Sequence, residues 1–351
     1  MDVKRIGVLT GGGDAPGLNA VIRAIVVTAQ RHNLQVTGIQ HGWAGLLGEG
    51  EASDLSIADV DDIHRTGGTI LRTSRTNPMK HPDGMEQVKK NLQKYGCDAL
   101  VAIGGDDTLS VALKLHEQGV NVVGVPKTID NDLSATDYTF GFDTAVNIAT
   151  EAFDRLHTTA KSHDRVLVVE IMGRYAGWLT LTSGLAGGAH IILLPEVKFD
   201  PEEVCKVIRR RWESGLNYTI VAVAEGATPI DAREFITKDD KVDQFGHVKL
   251  GGIANRLAKV IEKKTGQETR AVVLGHLQRG GAPTAFDRML GTRLGVKAVH
   301  LVVDGKFGEM SSLRGTEIIS VPIKEAVGKL KIVTQPLLDE LKCFLGTGYE
   351  I

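Results

Sequence analysis

Five short clusters in this chain carry acidic, basic or amide side chains, and in four of them glycine stands beside those groups. In Thr10-Gly11-Gly12-Gly13-Asp14-Ala15-Pro16-Gly17-Leu18-Asn19, glycines free the backbone to approach a ligand, and a following helix would offer its first amides to an anion such as phosphate. The cluster is neither GxGxxG nor GxxxxGK[ST], which argues against dinucleotide and P-loop sites. Gly104-Gly105-Asp106-Asp107-Thr108 puts two adjacent carboxylates at a helix start. A helix cap accounts for one of them, whereas a pair beside phosphate-binding backbone is better explained if one holds magnesium, a hard cation that takes oxygen ligands. Pro126-Lys127-Thr128-Ile129-Asp130-Asn131-Asp132 supplies an Asp able to act as general base toward a hydroxyl, with a second to orient it or bind metal. Met172-Gly173-Arg174 offers a guanidinium for charge developing on a phosphoryl group. Gly275-His276-Leu277-Gln278-Arg279-Gly280-Gly281 adds His and Arg for a phosphorylated substrate. A lone His or Arg is more often a solvated or capping residue and a glycine-rich turn alone is a weak signal, whereas the dense Pro126–Asp132 patch is poorly explained as a surface turn, and the recurrence of such loops at strand ends is not independent. Together they imply phosphoryl transfer to or from a small phosphorylated hydroxy compound with magnesium, leaving donor and acceptor open.

These clusters need strands to carry them. Short Val/Ile/Leu runs at Arg5–Leu9, Ala99–Ile103, Val122–Val125, Val166–Ile171, Ile191–Leu194, Thr219–Ala224 and Ala271–Leu274 alternate with amphipathic stretches at Gly17–Gln30, Leu109–Gln118, Thr144–Ala160, Pro201–Gly215 and Gly252–Thr265. That rhythm predicts buried parallel strands with crossover helices, and in such sheets ligands bind beyond the carboxyl ends of the strands. At 351 residues the chain has room for about two α/β units, with no Pro- or Ser-rich linker between them. Forty-one Lys and Arg against 43 Asp and Glu give −2, spread along the chain, so no nucleic-acid or acidic-membrane footprint stands out. No apolar run is long enough for a membrane span and the N-terminus lacks a signal-peptide pattern, so a cytoplasmic location is expected. Cys97, Cys205 and Cys343 form no CxxC pair and are expected to be small buried apolar residues.

As a set, TGGGDAPGLN at 10–19, GGTILRTSR at 67–75, GGDDT at 104–108, PKTIDND at 126–132, MGRYAG at 172–177 and GHLQRGG at 275–281 resemble the 6-phosphofructokinase family, in family order over almost the whole chain. The resemblance implies two similar three-layer α/β/α Rossmann-like domains with mainly parallel sheets and the active site in the cleft between them. It assigns 1–141 plus 278–324 to the phosphoryl donor and magnesium, and 142–277 plus 325–351 to fructose 6-phosphate. It makes Asp130 the base that takes the proton of the sugar 1-hydroxyl, with Thr128 and Asp132 beside it, and gives Asp106 to magnesium. Gly13 and Arg75 match donor-phosphate contacts, and Arg174 a residue steadying the transferring group. Met172, Gly173, Glu225, His276 and Arg279 match sugar-phosphate positions. Arg165 and Arg270 match arginines that reach the 6-phosphate of a neighbouring subunit, which implies a homo-oligomer, dimer or tetramer.

Two departures bear on the donor and on regulation. ATP-using members normally carry Gly where this chain has Asp107, and many carry Gly in place of Lys127; the Asp and Lys pair is that of pyrophosphate-dependent members. A carboxylate at Asp107 would meet the α-phosphate of ATP, and unit charges about 4 Å apart repel by roughly 4 kcal/mol at an effective dielectric near 20. Pyrophosphate lacks that phosphate, and Lys127 adds a cation to accompany the leaving group, so Asp107 and Lys127 are counted with Asp130 and Arg174 in the catalytic set. The expected reaction is a reversible, magnesium-dependent transfer from pyrophosphate to fructose 6-phosphate, in glycolysis and gluconeogenesis, with ATP as the alternative donor. An NAD-kinase-like enzyme is disfavoured because α/β alternation continues through the second half, and a sensor that has lost catalysis because Asp106 and Asp130 are both present. Arg23 is kept at the family's effector pocket but Val27, His157 and Leu216 replace basic residues there, which argues against control by ADP or phosphoenolpyruvate. The tail from Lys329 to Ile351 matches poorly and is assigned only packing.

Overall fold

The computed structural model describes residues 3–231, 237–242, 245–246 and 248–346. Portions of the expected units at 1–2, 232–236, 243–244, 247 and 347–351 lie outside them. The strands are β1 (Arg5–Thr10), β2 (Gln35–Ile39), β3 (Ala52–Leu55), β4 (Ala99–Gly104), β5 (Val122–Pro126), β6 (Val166–Ile171), β7 (Ile191–Leu193), β8 (Thr219–Ala224), β9 (Thr237–Val242), β10 (Val248–Leu250), β11 (Thr269–Val273), β12 (Glu309–Arg314) and β13 (Glu317–Pro322). The helices are α1 (Leu18–Arg31), α2 (Ile57–Val60), α3 (Gly84–Lys94), α4 (Asp106–Glu117), α5 (Phe142–Ser162), α6 (Trp178–Ala186), α7 (Pro201–Glu213), α8 (Ile253–Thr265), α9 (Ala285–Val303), α10 (Ile323–Ala326) and α11 (Gln335–Leu345). Among the described residues one large sheet runs β13-β12-β5-β4-β1-β2-β3, a second runs β11-β6-β8-β7, and β9 and β10 form a separate antiparallel pair. Within the first, β12, β5, β4, β1 and β2 pair in parallel and the edge strands β3 and β13 antiparallel. The second is parallel throughout.

Both sheets are covered on two faces, which is why their strands read as unbroken apolar runs. In β1 and β4, Ile6, Val8, Val101 and Ile103 pack with α1 and α9, while Leu9, Leu100 and Ala102 pack with α3 and α4. In β6, Leu167, Val169 and Ile171 meet α5, α6 and α11, whereas Val166 and Val168 meet α7 and α8. The fold is thus a pair of three-layer α/β/α units, as the sequence predicts. Helix α9 carries no clean amphipathic stripe because it lies against α1 at backbone distance. A Cβ on Gly295 would stand 2.8 Å from the Val21 carbonyl oxygen, and one on Gly291 3.0 Å from that of Gly17.

Cys205 is buried as expected, but Cys343 is exposed and Cys97 only partly covered. Cys343 sits in the last turns of α11, whose buried side chains are Leu338 and Leu345, so it falls on the outer face. Among the described residues no helix is long and apolar enough to cross a membrane.

The two units are tied where α5 and α9 begin. Buried Asp287 accepts from the Thr144 amide at 2.8 Å and its hydroxyl at 2.5 Å, and Thr284 donates to Asp143 at 2.6 Å. Replacing Asp287 by Ala strands that buried amide, so stability should fall by about 1–3 kcal/mol, and by less in Asp287→Asn, which keeps an acceptor. Burial pushes the Asp287 carboxyl up to about 6. With its folded pKa above the unfolded one, its contribution is complete below the ordinary aspartate range and lost as pH rises through about 6. Thermal unfolding at pH 5 and pH 8 should show this dependence in the parent and not in Asp287→Asn; an Ala variant with the parental Tm would disprove the tie.

Candidate active site

The carboxyl ends of β1, β4, β5 and β6 converge on two connected chambers. The smaller, about 340 Å³, is lined by Gly12, Gly13, Asp106, Asp107, Lys127, Asp130 and Asp132 among others. The larger, about 630 Å³, is lined by Met172, Glu225, His276, Glu170 and Thr73 among others. Gly12, Gly13, Arg75, Arg174 and Arg279 line both. The wall between the sheets is therefore cationic, suited to phosphate passing from one chamber to the other.

The glycines here have two different jobs. Gly11 and Gly104 make room for the buried Thr108, since added Cβ atoms would stand 2.5 and 2.3 Å from its side chain. Gly12, at φ +81°, and Gly13 instead present backbone to the chamber. Helix α4 starts at Asp106 with Gly105 as its cap, so neither acid is the capping residue. Asp106 Oδ1 accepts from the Gly328 amide at 2.7 Å.

Lys127 is buried and its Nζ donates to the Gly13 carbonyl at 2.5 Å, bridging the loops after β5 and β1. Burial, then the Arg279 charge, pulls it down to about 7, against the opposing pull of Asp130, Asp14 and Asp132. Asp132 is pushed up to about 6 by burial and by the Asp130 charge. Glu225 rises to about 7 for the same two reasons, in that order. Asp130 is itself buried, its amide donates to the Thr128 hydroxyl at 3.0 Å, and its Oδ1 has no hydrogen-bond partner among the described residues. A buried carboxylate oxygen without a donor is a natural acceptor for a substrate hydroxyl proton.

Arg174 reaches both chambers from a left-handed backbone at φ +51°, and its amide donates to Glu225 at 3.1 Å. Gly173, at φ +140°, lets the chain turn there; a Cβ would stand 2.7 Å from the Ala176 carbonyl oxygen. Arg279 is buried and donates to the Asp14 carbonyl at 3.2 Å. The structure thus gathers Gly13, Arg75, Asp106, Asp107, Lys127, Thr128, Asp130, Asp132, Met172, Arg174, Glu225, His276 and Arg279 around one cleft, with Gly173 in the turn between Met172 and Arg174. Arg165 and Arg270 line neither chamber; they pair with Glu268 at 2.9 and 2.7 Å.

Sequence reading passed over Glu170, whose buried carboxylate accepts from the Gly252 and Ala254 amides at the start of α8. It also passed over Gly328, Lys329 and Leu330, which wall the smaller chamber although the tail was assigned only packing. A polar strap that becomes part of the site only through tertiary folding leaves no local motif.

Magnesium keeps several waters and is held by one or two carboxylates together with substrate phosphates. Asp106 and Asp107 beside phosphate-accepting backbone fit that pattern, and among the described residues no cluster of three His, Cys, Asp or Glu forms a self-sufficient metal cage.

A buried carboxylate, a buried lysine and three arginines lining the cleft between two α/β units are the setting of a phosphotransferase. The family described as Phosphofructokinase matches residues 5–302, and the chain belongs to the phosphofructokinase family. It is 58% identical over 344 residues, 97% of this chain and 100% of the relative, to a protein of Streptomyces coelicolor named pyrophosphate--fructose 6-phosphate 1-phosphotransferase. It is 50% identical, again over 97% of this chain and 100% of the relative, to an ATP-dependent 6-phosphofructokinase of Mycobacterium leprae. A pyrophosphate-dependent phosphofructokinase structure from Marinobacter aquaeolei shares the fold at TM-score 0.82 and 24% identity, covering 98% of this chain and 92% of that one.

The Arg174 carbonyl rests against Gly226, where a Cβ would stand 2.0 Å from its oxygen. Gly226→Ala must displace the Arg174 backbone, and a shift of about 1 Å at a reacting centre can cost on the order of 100-fold. Turnover should fall by about that factor while far-ultraviolet circular dichroism stays parental; a parental rate would show that Arg174 tolerates the shift.

Proposed function

We propose that the protein transfers a phosphoryl group reversibly from pyrophosphate to the 1-hydroxyl of fructose 6-phosphate, releasing phosphate and forming fructose 1,6-bisphosphate. The observation that carries the reading is the joint placement of Asp107 and Lys127 on the smaller chamber with the phosphate-facing Gly12 and Gly13. A carboxylate there opposes a triphosphate and leaves a diphosphate room, while a buried ammonium can follow the leaving phosphate. The 58% identical relative's name supports the same donor. The fit of the larger chamber's Met172, Glu225, His276 and Arg279 to a sugar phosphate supports the acceptor.

In this reading the sugar 1-oxygen attacks the transferring phosphorus, its proton passes to Asp130 Oδ1, and the bond to the bridging oxygen of pyrophosphate breaks. Thr128 holds the Asp130 amide, Arg174 and Arg279 face the charge on the moving group, and Lys127 stays with the leaving phosphate. Asp106 would hold magnesium, which when bound neutralises phosphate charge. The donor unit, 1–141 plus 278–324, and the sugar unit, 142–277 plus 325–351, close on the substrates from opposite sides. Arg165 and Arg270 serve a neighbouring subunit of a homo-oligomer that works in the cytoplasm, in glycolysis and gluconeogenesis. The second reading, ATP as donor, is favoured by the 50% identical relative.

Fructose 1,6-bisphosphate formation with magnesium and fructose 6-phosphate, run in parallel with pyrophosphate and with ATP, separates the two. Pyrophosphate should support turnover and ATP little, and Asp107→Gly should raise the use of ATP. Efficient ATP use by the parent would reverse the donor assignment.

The Lys127 ammonium in the empty chamber loses its proton as pH rises through about 7. kcat/KM for pyrophosphate, which reports free enzyme, should therefore fall above pH 7, while kcat persists to higher pH because bound phosphate favours the charged form. Lys127→Arg should move the limb upward; an unmoved limb would assign it to another group.

A further inference from the structure

Residues 328–333 form a strap that crosses from the edge of the first unit to the second, and Lys331 is its most connected member. Its Nζ, largely buried, donates to Asn131 Oδ1, the Thr136 carbonyl and the Asp137 carbonyl, each at 2.9 Å. Its amide donates to the Asp132 carbonyl at 2.8 Å, and its own carbonyl accepts from Trp178 Nε1 at 3.0 Å, with the ammonium 5.8 Å from the Trp178 ring. One residue thus holds the Asp130-Asn131-Asp132 turn from behind and fastens it to α6 of the other unit.

The turn needs such a hold. Asn131 sits at φ +51°, a left-handed conformation that Asn adopts more readily than other side chains, and the hydrogen bonds around it fix which way the turn faces. Its side-chain oxygen accepts from Lys331 and from the Thr139 amide at 3.2 Å, and those bonds define its orientation. Asp130 and Asp132 flank it and face the smaller chamber. Burial brings the ammonium down to about 8, while the Asp132 and Asp137 charges hold it up against Arg314, so near neutral pH it is a cation directed at polar oxygens.

We propose that Lys331 is a positioning residue that keeps Asp130 in the orientation required for proton removal, by clamping Asn131 and the 136–137 carbonyls. This rests on the phosphotransfer reading of Asp130, and it gives the strap a task beyond packing.

The test uses the full chain as the parent, Lys331→Met, Lys331→Arg, Asn131→Gly and the Lys331→Met/Asn131→Gly double variant. Loss of the clamp should lower kcat by about 100-fold, the scale of a misplacement near 1 Å, with KM for both substrates unchanged. Lys331→Arg, which keeps donors and charge, should recover most of that rate. Asn131→Gly should slow the enzyme as Lys331→Met does, and the double variant should be no slower than either, because both remove one coupling. Amide hydrogen exchange should accelerate at 128–139 in Lys331→Met and stay parental elsewhere. Parental kcat with parental exchange overturns the proposal. So does exchange that rises along the whole chain with kcat and KM both impaired, because that marks general packing. If the parent transfers phosphate from neither pyrophosphate nor ATP, the functional reading falls, and exchange at 128–139 still decides whether Lys331 holds the turn.

Discussion

A lysine ammonium held out of water between two loops is the interaction on which the rest of the site depends. Lys127 leaves the end of β5, passes the end of β4 and reaches the Gly13 carbonyl beyond β1. Removing an ammonium from water costs several kcal/mol unless hydrogen bonds and opposite charges offset it. The Gly13 carbonyl, Asp14, Asp130 and Asp132 supply that offset, and the nearby Arg279 works against it. The parallel order β5-β4-β1 brings these groups to one edge, because in a parallel sheet every strand delivers its following loop to the same end. A sheet in which any of these strands ran the other way would leave the ammonium without acceptors.

The second unit completes the site without adding to that charge balance directly. Arg174 and Glu225 come from the ends of β6 and β8 and are joined through the Arg174 amide. Their link to the first unit is covalent at few places and polar at several: the Asp287 to Thr144 contacts, Gly328 to Asp106, and Lys331 to Asn131. Polar ties of this kind fix distance and direction more tightly than apolar contact, which tolerates sliding. The apolar cores centre on α1 and α9 in one unit and on α5 and α6 in the other, and the second also takes in Ala15 and Ile129 from the loops after β1 and β5 of the first.

The strands buried on both faces were legible because they must be apolar at every position, and β1, β4, β5, β6 and β8 begin and end within a residue of the predicted runs. The outer strands β2, β3, β12 and β13 were not, since Thr37, Gly38, Ser53, Asp54, Ser311, Ser312 and Ser320 break up any apolar run in them. Helix α9 escaped notice because its contact with α1 is made by glycines, which lower helix propensity while permitting close approach. Site residues inside dense local clusters were visible as chemistry. Glu170 looked like an interior strand residue, and Lys331 lies 200 positions from the Asn131 it binds, so neither could be found from neighbours in sequence. The glycine clusters were legible as a signal but not as a cause: Gly11 and Gly104 serve Thr108, whereas Gly12, Gly13 and Gly105 line the chamber.

Asp130, Asp132 and Glu225 crowd one desolvated part of the cleft. Asp132 and Glu225 are both pushed upward by burial first and by the Asp130 charge second, to about 6 and about 7. Burial and a neighbouring negative charge both disfavour a further carboxylate in a low-dielectric site, which is why Asp132 and Glu225 move in the same direction. Glu225 accepts a backbone amide and Asp132 is drawn toward the Thr128 hydroxyl, yet both still hold protons more firmly than in water. The site therefore concentrates its need for a donor on Asp130 Oδ1, which has no partner among the described residues. In the proposed reaction a hydroxyl arriving there would meet an acceptor already desolvated, and little reorganisation would have to accompany proton transfer.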